Sequence, residues 1–346
     1  MKVSRSTLRT LTSCQLEGYL KYLALEGGIQ PVGRRPALII GEYVHHLCMS
    51  KLAGIESELT CQTWFEDYQE DDAKPIWHLI ESLYLIWSKF RLPEILDEFE
   101  VLAVEKEDTI SLGNHSIMVK PDARLLHKET GRVHALEMKT HSYNRADYYE
   151  AWQSDLQTLM HVWAMRELFP DKEASHVLME FLYKGYAKKV KGIKQYYSPL
   201  LRAYRKVGVP PFDETEYLFE YTRRKDYDQF NVWEDFTPEQ WLDLLPEQYQ
   251  LQQISALPIH RMESEIDLWE KLTIARLDRA DEGLIELAKD PEAVIRYFPG
   301  NYNELCMNNK YGYRCDMYEA CYTHKSPEQA VASGEYISRV KRYETV

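Results

Sequence analysis

Hydrophobic residues recur with a helical period through most of the N-terminal part of the chain. Leucine and tyrosine repeat at helical spacing over residues 4–26, and Gly27 follows, which predicts one amphipathic helix. Similar patterns predict helices at 36–53, 59–69 and 75–90. The N-terminal part is therefore predicted to be helical.

The period then changes from that of a helix to that of a strand. Residues 100–107, 117–126 and 133–140 have the composition of strands. Turn residues at 112–114 and 129–131 separate them. The pattern predicts a three-stranded antiparallel meander.

Helices and strands alternate after the meander. The pattern predicts a long helix at 146–169, strands at 175–182 and 216–222, and helices over most of 238–289. An irregular, cysteine-bearing segment ends the chain. This order predicts an α/β protein with three regions in chain order, which are 1–92, 93–235 and 236–346.

Composition describes an ordinary globular protein. Of the 346 residues, 45% are hydrophobic and 28% charged, so a disordered or collagen-like chain is excluded. The formal net charge of −13 argues against a protein that coats nucleic acid by bulk attraction, although a local basic groove is still compatible with it. The length suggests either two domains or one large elaborated domain.

The N-terminus lacks the pattern of a signal peptide. Basic residues at Lys2, Arg5 and Arg9 are followed by Gln15 and Glu17, where an apolar stretch would be needed. No apolar run approaches the ~20 residues that span a bilayer. We therefore expect a cytoplasmic protein, in which cysteines are more often thiols or metal ligands than disulfides.

One segment has a strong local charge. Residues 181–212 contain no Asp or Glu. The candidate nucleic-acid-binding residues there are Lys184, Lys188, Lys189, Lys191, Lys194 and Tyr196. Lysines can neutralise phosphates while tyrosine rings stack on bases, as in single-strand binders. The alternative is a solvated basic loop with structural tyrosines.

Two carboxylates and a lysine carry the sharpest chemical pattern. Glu137 and Lys139 share one face of a predicted strand, and the turn at 129–131 folds the strand of Asp122 back beside them. Adjacent carboxylates with open positions suit Mg²⁺ or Mn²⁺. By spacing alone, the residues also fit a surface Asp and a Glu–x–Lys pair on an exposed strand.

Cysteines gather near the C-terminus. Cys306, Cys315 and Cys321 lie within 16 residues, and Cys14 can supply a fourth ligand to a metal or cluster. The spacing alone would also fit zinc. The other two cysteines, Cys48 and Cys61, are predicted to be buried small hydrophobic residues.

The order of the carboxylates resembles a known family. Pro121-Asp122, followed by Glu137-Met138-Lys139, resembles the motif of PD-(D/E)XK nucleases, and Gly41-x-x-x-His45 resembles the helix of the RecB-like exonuclease branch. The resemblance implies a restriction-endonuclease-like core, a mixed central sheet flanked by helices, with helical insertions. It also implies that His45, Asp122, Glu137 and the Met138 carbonyl hold Mg²⁺ or Mn²⁺, while Lys139 positions the attacking water.

The family's remaining positions are matched less closely. Members of the branch carry a Gln-x-x-x-Tyr pattern on the next helix, which Gln157 matches, although His161 stands where Tyr is usual. Gln153, one helical turn earlier, is the alternative. His45 could instead be a packed helix histidine. Glu105 resembles an accessory acidic position of the family.

The cysteines extend the resemblance to the iron–sulfur members of the branch. AddB-type and CRISPR-adaptation nucleases have one cysteine before the core and three after it. The resemblance implies a [4Fe–4S] cluster on Cys14, Cys306, Cys315 and Cys321 that staples the terminal regions together. The gap between the first two C-terminal cysteines is longer than the common Cys-x-x-Cys form.

The function implied by the resemblance is a metal-dependent DNA exonuclease. It would act on single strands or duplex ends in recombination, repair or phage DNA metabolism, in the cytosol of a bacterium or of a phage-infected host. DNA is the expected partner, with a recombination or replication protein as a further one. The alternatives are a catalytically silent DNA-binding or partner-docking subunit and a CRISPR-adaptation nuclease that trims spacers.

Overall fold

The structure is a computed structural model. It describes residues 1–31, 36–68, 73–142, 146–190, 193–197, 200, 204–207, 218–221, 236–245, 247–290, 294–300, 306, 315–324 and 326–339. The chain divides into two units. The sheet unit comprises residues 35–106 and 120–261, and the terminal unit comprises 1–34, 107–119 and 262–346. The three regions expected in chain order stay a prediction.

Strands occur in both units. Their bounds are β1 Lys2–Ser4, β2 Ile29–Pro31, β3 Phe99–Val104, β4 Asp108–Leu112, β5 His115–Val119, β6 Ala123–His127, β7 Val133–His141, β8 His176–Tyr183, β9 Tyr186–Val190, β10 Ile193–Tyr197, β11 Tyr204–Val207, β12 Leu218–Tyr221, β13 Ile254–His260 and β14 Tyr336–Ser338.

Helices make up much of the rest of the described chain. Their bounds are α1 Arg5–Ser13, α2 Gln15–Gly18, α3 Pro36–Ala53, α4 Cys61–Asp67, α5 Ala73–Glu98, α6 Ala146–Trp152, α7 Leu156–Leu168, α8 Pro238–Leu244, α9 Glu247–Leu251, α10 Glu263–Leu287, α11 Val294–Tyr297, α12 Tyr318–Tyr322 and α13 Pro327–Ala332. A π-helical turn, Tyr19–Leu23, and a 3₁₀ turn, Ala24–Glu26, follow α2.

A five-stranded sheet organises the sheet unit, in the order β13-β8-β7-β6-β3. Strands β7 and β8 are parallel, and the other neighbours are antiparallel. Helices α6 and α7 connect β7 to β8, because parallel neighbours need a crossover connection. The predicted α/β class is confirmed, and a mixed sheet flanked by helices is compatible with a restriction-endonuclease-like core.

Helices α3 and α5 cover one face of this sheet. Many of their apolar residues, among them the fully buried Val44, Ile80 and Leu83, form one cluster with Leu136 and Met138 of β7. These residues leave water on folding, and each buried side chain contributes roughly 1.5–3 kcal/mol before entropy is counted. The cluster holds α3, the helix that carries His45, against the central strand β7.

The predicted strand at 117–126 is wrong as a single element. It divides into β5 and β6 at Pro121, which has no N–H to give to a strand ladder. The predicted meander forms from β3, β6 and β7. Strands β4 and β5 are an inserted hairpin, which Gly113 turns with a left-handed φ of 58°.

Three further predictions needed correction. The helix at 4–26 is interrupted at Cys14, which has an extended backbone with φ −153° and ψ 113°. The helix at 146–169 is divided between α6 and α7, and Asp155 caps the second by accepting from the Gln157 N–H at 2.8 Å. Residues 254–260, predicted as part of a helical region, form the edge strand β13.

The terminal unit joins segments from the two ends of the described chain. Strand β14 pairs antiparallel with β2. Leu20 and Ile29 pack with Met317 and Tyr336 in one buried cluster, and the Tyr336 hydroxyl donates to the Asp316 carbonyl at 3.0 Å. Packing and strand pairing therefore hold these segments together. In neither unit does a described helix have the length and apolarity needed to cross a membrane.

Candidate active site

Strand pairing brings the two predicted carboxylates together. Ala123 pairs with Leu136 in the antiparallel register of β6 and β7, and continuing that register by one residue places Asp122 beside Glu137. The Met138 N–H donates to Asp122 Oδ2 at 2.6 Å. This bond fixes the Asp122 carboxylate at the edge of β7, although Asp122 itself lies before β6 begins.

Glu137 is a buried charge with two cationic or donor partners. It is only 2% exposed. Lys139 Nζ pairs with its Oε1, and His161 Nε2 lies 3.0 Å from its Oε2. Burial raises the pKa of Glu137, but Lys139 and His161 outweigh that effect and hold the pKa well below its usual range. Glu137 is therefore an ionised carboxylate at neutral pH.

Helix α3 carries His45 to Asp122. His45 Nε2 lies 3.0 Å from Asp122 Oδ1, and His45 Nδ1 lies 3.6 Å from Glu105 Oε1. Burial lowers the pKa of His45, but the neighbouring carboxylates Asp122, Glu105 and Glu137 outweigh it and raise the pKa above its usual value. The imidazole is thus surrounded by negative charge, as a metal-binding histidine beside carboxylates would be.

Gly41 lets α3 lie close to β7. A Cβ at this position would stand 3.0 Å from Thr140 Oγ1, which is closer than ordinary packing allows. The glycine precedes His45 by about one helical turn, so both residues lie on the same side of α3. The Gly-x-x-x-His spacing therefore combines a close helix–strand contact with a histidine aimed at Asp122.

The backbone beside Asp122 is strained. Glu105 has a left-handed φ of 48°, which is uncommon for a residue with a Cβ. Its N–H donates to the Asp122 carbonyl at 2.8 Å. The β3–β6 register also shifts between Val101 and Ala103, as at a β-bulge. These features place Glu105 next to His45, and its accessory role stays a prediction.

Helix α7 lies on the face of the sheet opposite to α3, and its side chains contact Glu137 there. Gln157 and His161 are four residues apart and therefore neighbours on the helix, and both are buried. Gln157 Nε2 lies 3.1 Å from His161 Nε2. Gln153 instead occupies the exposed turn between α6 and α7. Of the two glutamines, the structure brings Gln157 to the site.

Sequence reasoning missed Arg261, which holds α7 in place. This buried side chain follows β13, and its Nε donates to Thr158 Oγ1 at 3.1 Å. Its Nη2 also donates to the carbonyls of Asp155, at 3.2 Å, and Trp152, at 3.4 Å. No local pattern could have identified it, because its partners lie about a hundred residues earlier in the chain.

The donor set suits a hard divalent cation. Asp122 and Glu137 offer carboxylate oxygens and His45 offers an imidazole nitrogen, which are ligands that Mg²⁺ and Mn²⁺ accept. In this structure His45 pairs with Asp122, and Lys139 pairs with Glu137. Accordingly, no three His, Cys, Asp or Glu side chains of the described residues surround a point that could hold a metal ion.

The basic segment is described only in part. Lys188 and Lys189 lie on β9, and Lys194 and Tyr196 lie on β10, in one antiparallel hairpin. Lys191 lies outside the described residues. Lys184 is 8% exposed, and burial lowers its pKa to about 8, so its ammonium group is not at the surface. Nucleic-acid binding by this segment stays a prediction.

The four predicted cluster cysteines all belong to the terminal unit. Burial, with smaller contributions from the nearby Cys14 and Cys306, raises the pKa of Cys315 and of Cys321 to about 12. The Cys315 N–H also donates to the Cys306 carbonyl at 3.1 Å. The thiols are thus close enough to interact electrostatically.

Cys48 and Cys61 differ from each other. Cys48 is fully buried, as predicted. Cys61 is exposed at the first position of α4, so the prediction that it is buried is wrong. The Thr60 cap places the start of α4, and therefore Cys61, at the surface.

Comparisons with known proteins give distant similarities. No protein-family model and no curated protein matches the sequence. Among solved structures, the chain is similar to an alkaline exonuclease (LHK-Exo) from Laribacter hongkongensis, with 12% identity, coverage of 84% of this chain and 94% of that chain, and a TM-score of 0.28. It is also similar to SSO0001, with 16% identity, coverage of 42% and 73% respectively, and a TM-score of 0.21. The function proposed below rests on the geometry of the site.

Proposed function

We propose that this protein is a divalent-metal-dependent deoxyribonuclease of the PD-(D/E)XK type, an exonuclease acting on single-stranded DNA or duplex ends. The observation that carries the proposal is the meeting of Asp122, Glu137, Lys139 and His45 at the central strand β7 of the mixed sheet. Two carboxylates, an imidazole and an amine from three elements match the needs of phosphodiester hydrolysis better than those of a structural ion pair.

Each side chain has a separate role in the proposed reaction. Asp122, Glu137 and His45, with the Met138 carbonyl, would hold Mg²⁺ or Mn²⁺. A bound ion supplies charge stabilisation to the phosphate and acidifies water at the site. Lys139 orients the attacking water and offsets negative charge as the water oxygen bonds to phosphorus and the ester P–O bond breaks.

The surroundings of Lys139 agree with a DNA substrate. Its Nζ lies 5.6 Å from the centre of the Trp152 ring, so an aromatic surface adjoins the reactive amine. Aromatic rings stack on unpaired bases without sequence preference. The Lys- and Tyr-rich segment begins at the end of β8, beside β7 in the sheet. DNA is the proposed partner, together with a recombination or replication protein.

The cysteines would hold a [4Fe–4S] cluster with a structural role. Thiols with a pKa of about 12 stay protonated at neutral pH, and a nearby cation is what makes such groups ionise and bind. Cys14 and Cys306, which interact electrostatically with them, complete a set of four. The cluster would reinforce the packing that already joins the two terminal segments.

Cleavage of end-labelled linear single-stranded DNA, with an otherwise identical circle for comparison, tests the activity. We expect Mg²⁺- or Mn²⁺-dependent release of nucleotides from the linear strand and none from the circle. Lys139→Ala and Asp122→Asn should each lower the rate by about 10³-fold while the melting temperature is retained. Cleavage without metal, or a cleavage rate in either variant equal to that of the wild type, would refute the mechanism.

Anaerobic purification tests the cluster separately. We expect a brown protein with about four irons per chain and broad absorption near 400 nm, typical of [4Fe–4S] proteins. Cys315→Ser should lose iron, whereas Cys61→Ser, at an exposed cysteine of the sheet unit, should not. A colourless protein with stoichiometric zinc would refute the assignment.

A further inference from the structure

The side chains behind Glu137 form a buried row that the proposed reaction does not yet use. His161 is 1% exposed, and its Nε2 lies 3.0 Å from Glu137 Oε2 and 3.1 Å from Gln157 Nε2. Lys139 occupies the opposite oxygen, Oε1, and is partly exposed to solvent. The two oxygens of Glu137 therefore face different surroundings, one closed by α7 and one open towards the reactive amine.

Resting on the proposed function, we infer that His161 is a positioning residue that fixes Glu137 for metal binding by donating a hydrogen bond to Oε2. A ligand carboxylate that is free to rotate must be ordered when the ion binds, whereas one held by a donor is ordered in advance. His161 thereby leaves Oε1 as the oxygen on the side of Lys139.

The available donors and acceptors support a hydrogen bond donated by His161 Nε2 to Glu137 Oε2. Glu137 is ionised and can only accept, so the imidazole must present Nε2–H to it. His161 Nδ1 is buried and has no hydrogen-bond partner among the described residues. A hydrogen on Nδ1 would thus be buried and unsatisfied, which disfavours the tautomer that carries its hydrogen there. The buried environment selects the tautomer that serves Glu137.

The helix that carries His161 is itself held rigidly. Asp155 caps the first turn of α7, and Arg261 donates to Thr158 and to the Asp155 carbonyl. His161, about one helical turn further along α7, is therefore held in a defined position. The row from Arg261 through α7 to Glu137 connects the edge strand of the sheet to the site on the central strand.

Manganese binding in the absence of DNA tests the inference. Free Mn²⁺ is measured by electron paramagnetic resonance during titration of the full-length protein, His161→Phe and His161→Gln, with His134→Phe as a matched control outside the site. We expect His161→Phe to weaken Mn²⁺ binding about 10- to 100-fold. His161→Gln, whose amide can still donate, and His134→Phe should stay within about threefold of the wild type.

Steady-state cleavage at saturating Mn²⁺ gives a second readout. His161→Phe should lower kcat while the KM for DNA stays within about twofold, because His161 acts through Glu137 and does not touch the substrate. Unchanged Mn²⁺ affinity in His161→Phe, or equal weakening in Phe and Gln variants of similar melting temperature, would overturn the positioning role and leave the nuclease proposal intact. A wild-type protein that neither binds Mn²⁺ nor cleaves DNA would refute both.

Discussion

Two glutamates are buried on neighbouring strands of the same sheet, and different partners offset the cost of burying each carboxylate. Glu137 of β7 faces α7, whereas Glu180 of β8, which pairs with Met138 in the register, faces α5. Both are no more than 2% exposed. Under the proposed function, the contrast between them separates a metal-binding carboxylate from a structural one.

Glu180 is held by a bidentate partner, Arg91. Arg91 Nη2 donates to Oε1 at 2.7 Å, and Arg91 Nε donates to Oε2 at 3.1 Å, so both oxygens are occupied by one guanidinium fork. Burial nevertheless raises the pKa of Glu180, since desolvation outweighs Arg91. Glu137 has a lowered pKa because Lys139 and His161 act from two sides.

Burial of charge is therefore a poor marker of an active site by itself. The fork at Glu180 leaves no donor site open, and the pair serves to hold α5 against β8. At Glu137 the partners come from different elements, and Lys139 is still partly open to solvent. The proposed function assigns metal binding to Glu137, the glutamate whose partners can be exchanged for a metal and a substrate.

The largest expected effect is a difference in activity between matched variants of the two glutamates. Glu137→Gln should lower the cleavage rate about 10³-fold, because a charged donor oxygen is lost. Glu180→Gln should leave the rate per folded molecule within about threefold. Cleavage of labelled DNA, normalised to folded protein, measures both. Comparable losses in the two variants would mean that burial alone, and not the open arrangement, sets reactivity.

When the free energy of unfolding is measured instead of activity, the Glu180 site should be the more sensitive of the two, as removal of Arg91 would show. Arg91→Met leaves Glu180 buried without a partner, which costs about 3 kcal/mol of unfolding free energy. The double variant Arg91→Met/Glu180→Leu should recover most of that loss, because an apolar pair needs no solvation. Urea unfolding followed by circular dichroism measures each variant. A single variant as stable as the wild type would contradict a structural role for the pair.

The other end of the sheet should make the stability of the protein sensitive to acid. His134 and His176 lie side by side at the starts of β7 and β8, with ring centres 5.4 Å apart, and His127 and His260 extend the row. Burial, together with the neighbouring His176 and His127, lowers the pKa of His134 to about 4. The folded protein therefore keeps the His134 imidazole neutral at neutral pH.

The sign of the pH dependence follows from that shift. Between about pH 6.5 and pH 4 the unfolded chain binds a proton at His134 that the folded chain does not, so stability is lost as the pH falls. The loss should be on the order of 2 kcal/mol, and His134→Leu should remove it from this window. Unfolding free energies at pH 7 and pH 4.5 measure the change. An identical pH dependence in the variant would show that His134 is not responsible.

The smallest expected effect concerns Gly41. Gly41→Ala gains up to about 1 kcal/mol of helix propensity but meets Thr140 Oγ1 at 3.0 Å, so the net change in stability should be within about 1 kcal/mol. Because α3 must shift away from β7, His45 should move and Mn²⁺ affinity should fall several-fold. The double variant Gly41→Ala/Thr140→Ala should restore affinity. Failure of this rescue would separate the Gly41 contact from the placement of His45.

Local pattern predicted much of the site. Alternation along β7 places Glu137 and Lys139 on one face, and a turn of three residues returns the chain from Asp122. A helical spacing of four joins Gly41 to His45. These relations depend on the geometry of one strand or one helix, or on a short hairpin, so a reader of the sequence can derive them.

The rest depended on contacts that no local pattern encodes. Pro121 divides a stretch of strand-like composition between two different sheets, and β13 forms only because β8 offers it an antiparallel partner. His161 contacts Glu137 from a helix on the opposite face of the sheet, and Arg261 anchors that helix from about a hundred residues away. Backbone period sets which side chains share a face. Only the folded sheet decides which distant side chains surround a buried charge, because desolvation and hydrogen bonding act through space and not along the chain.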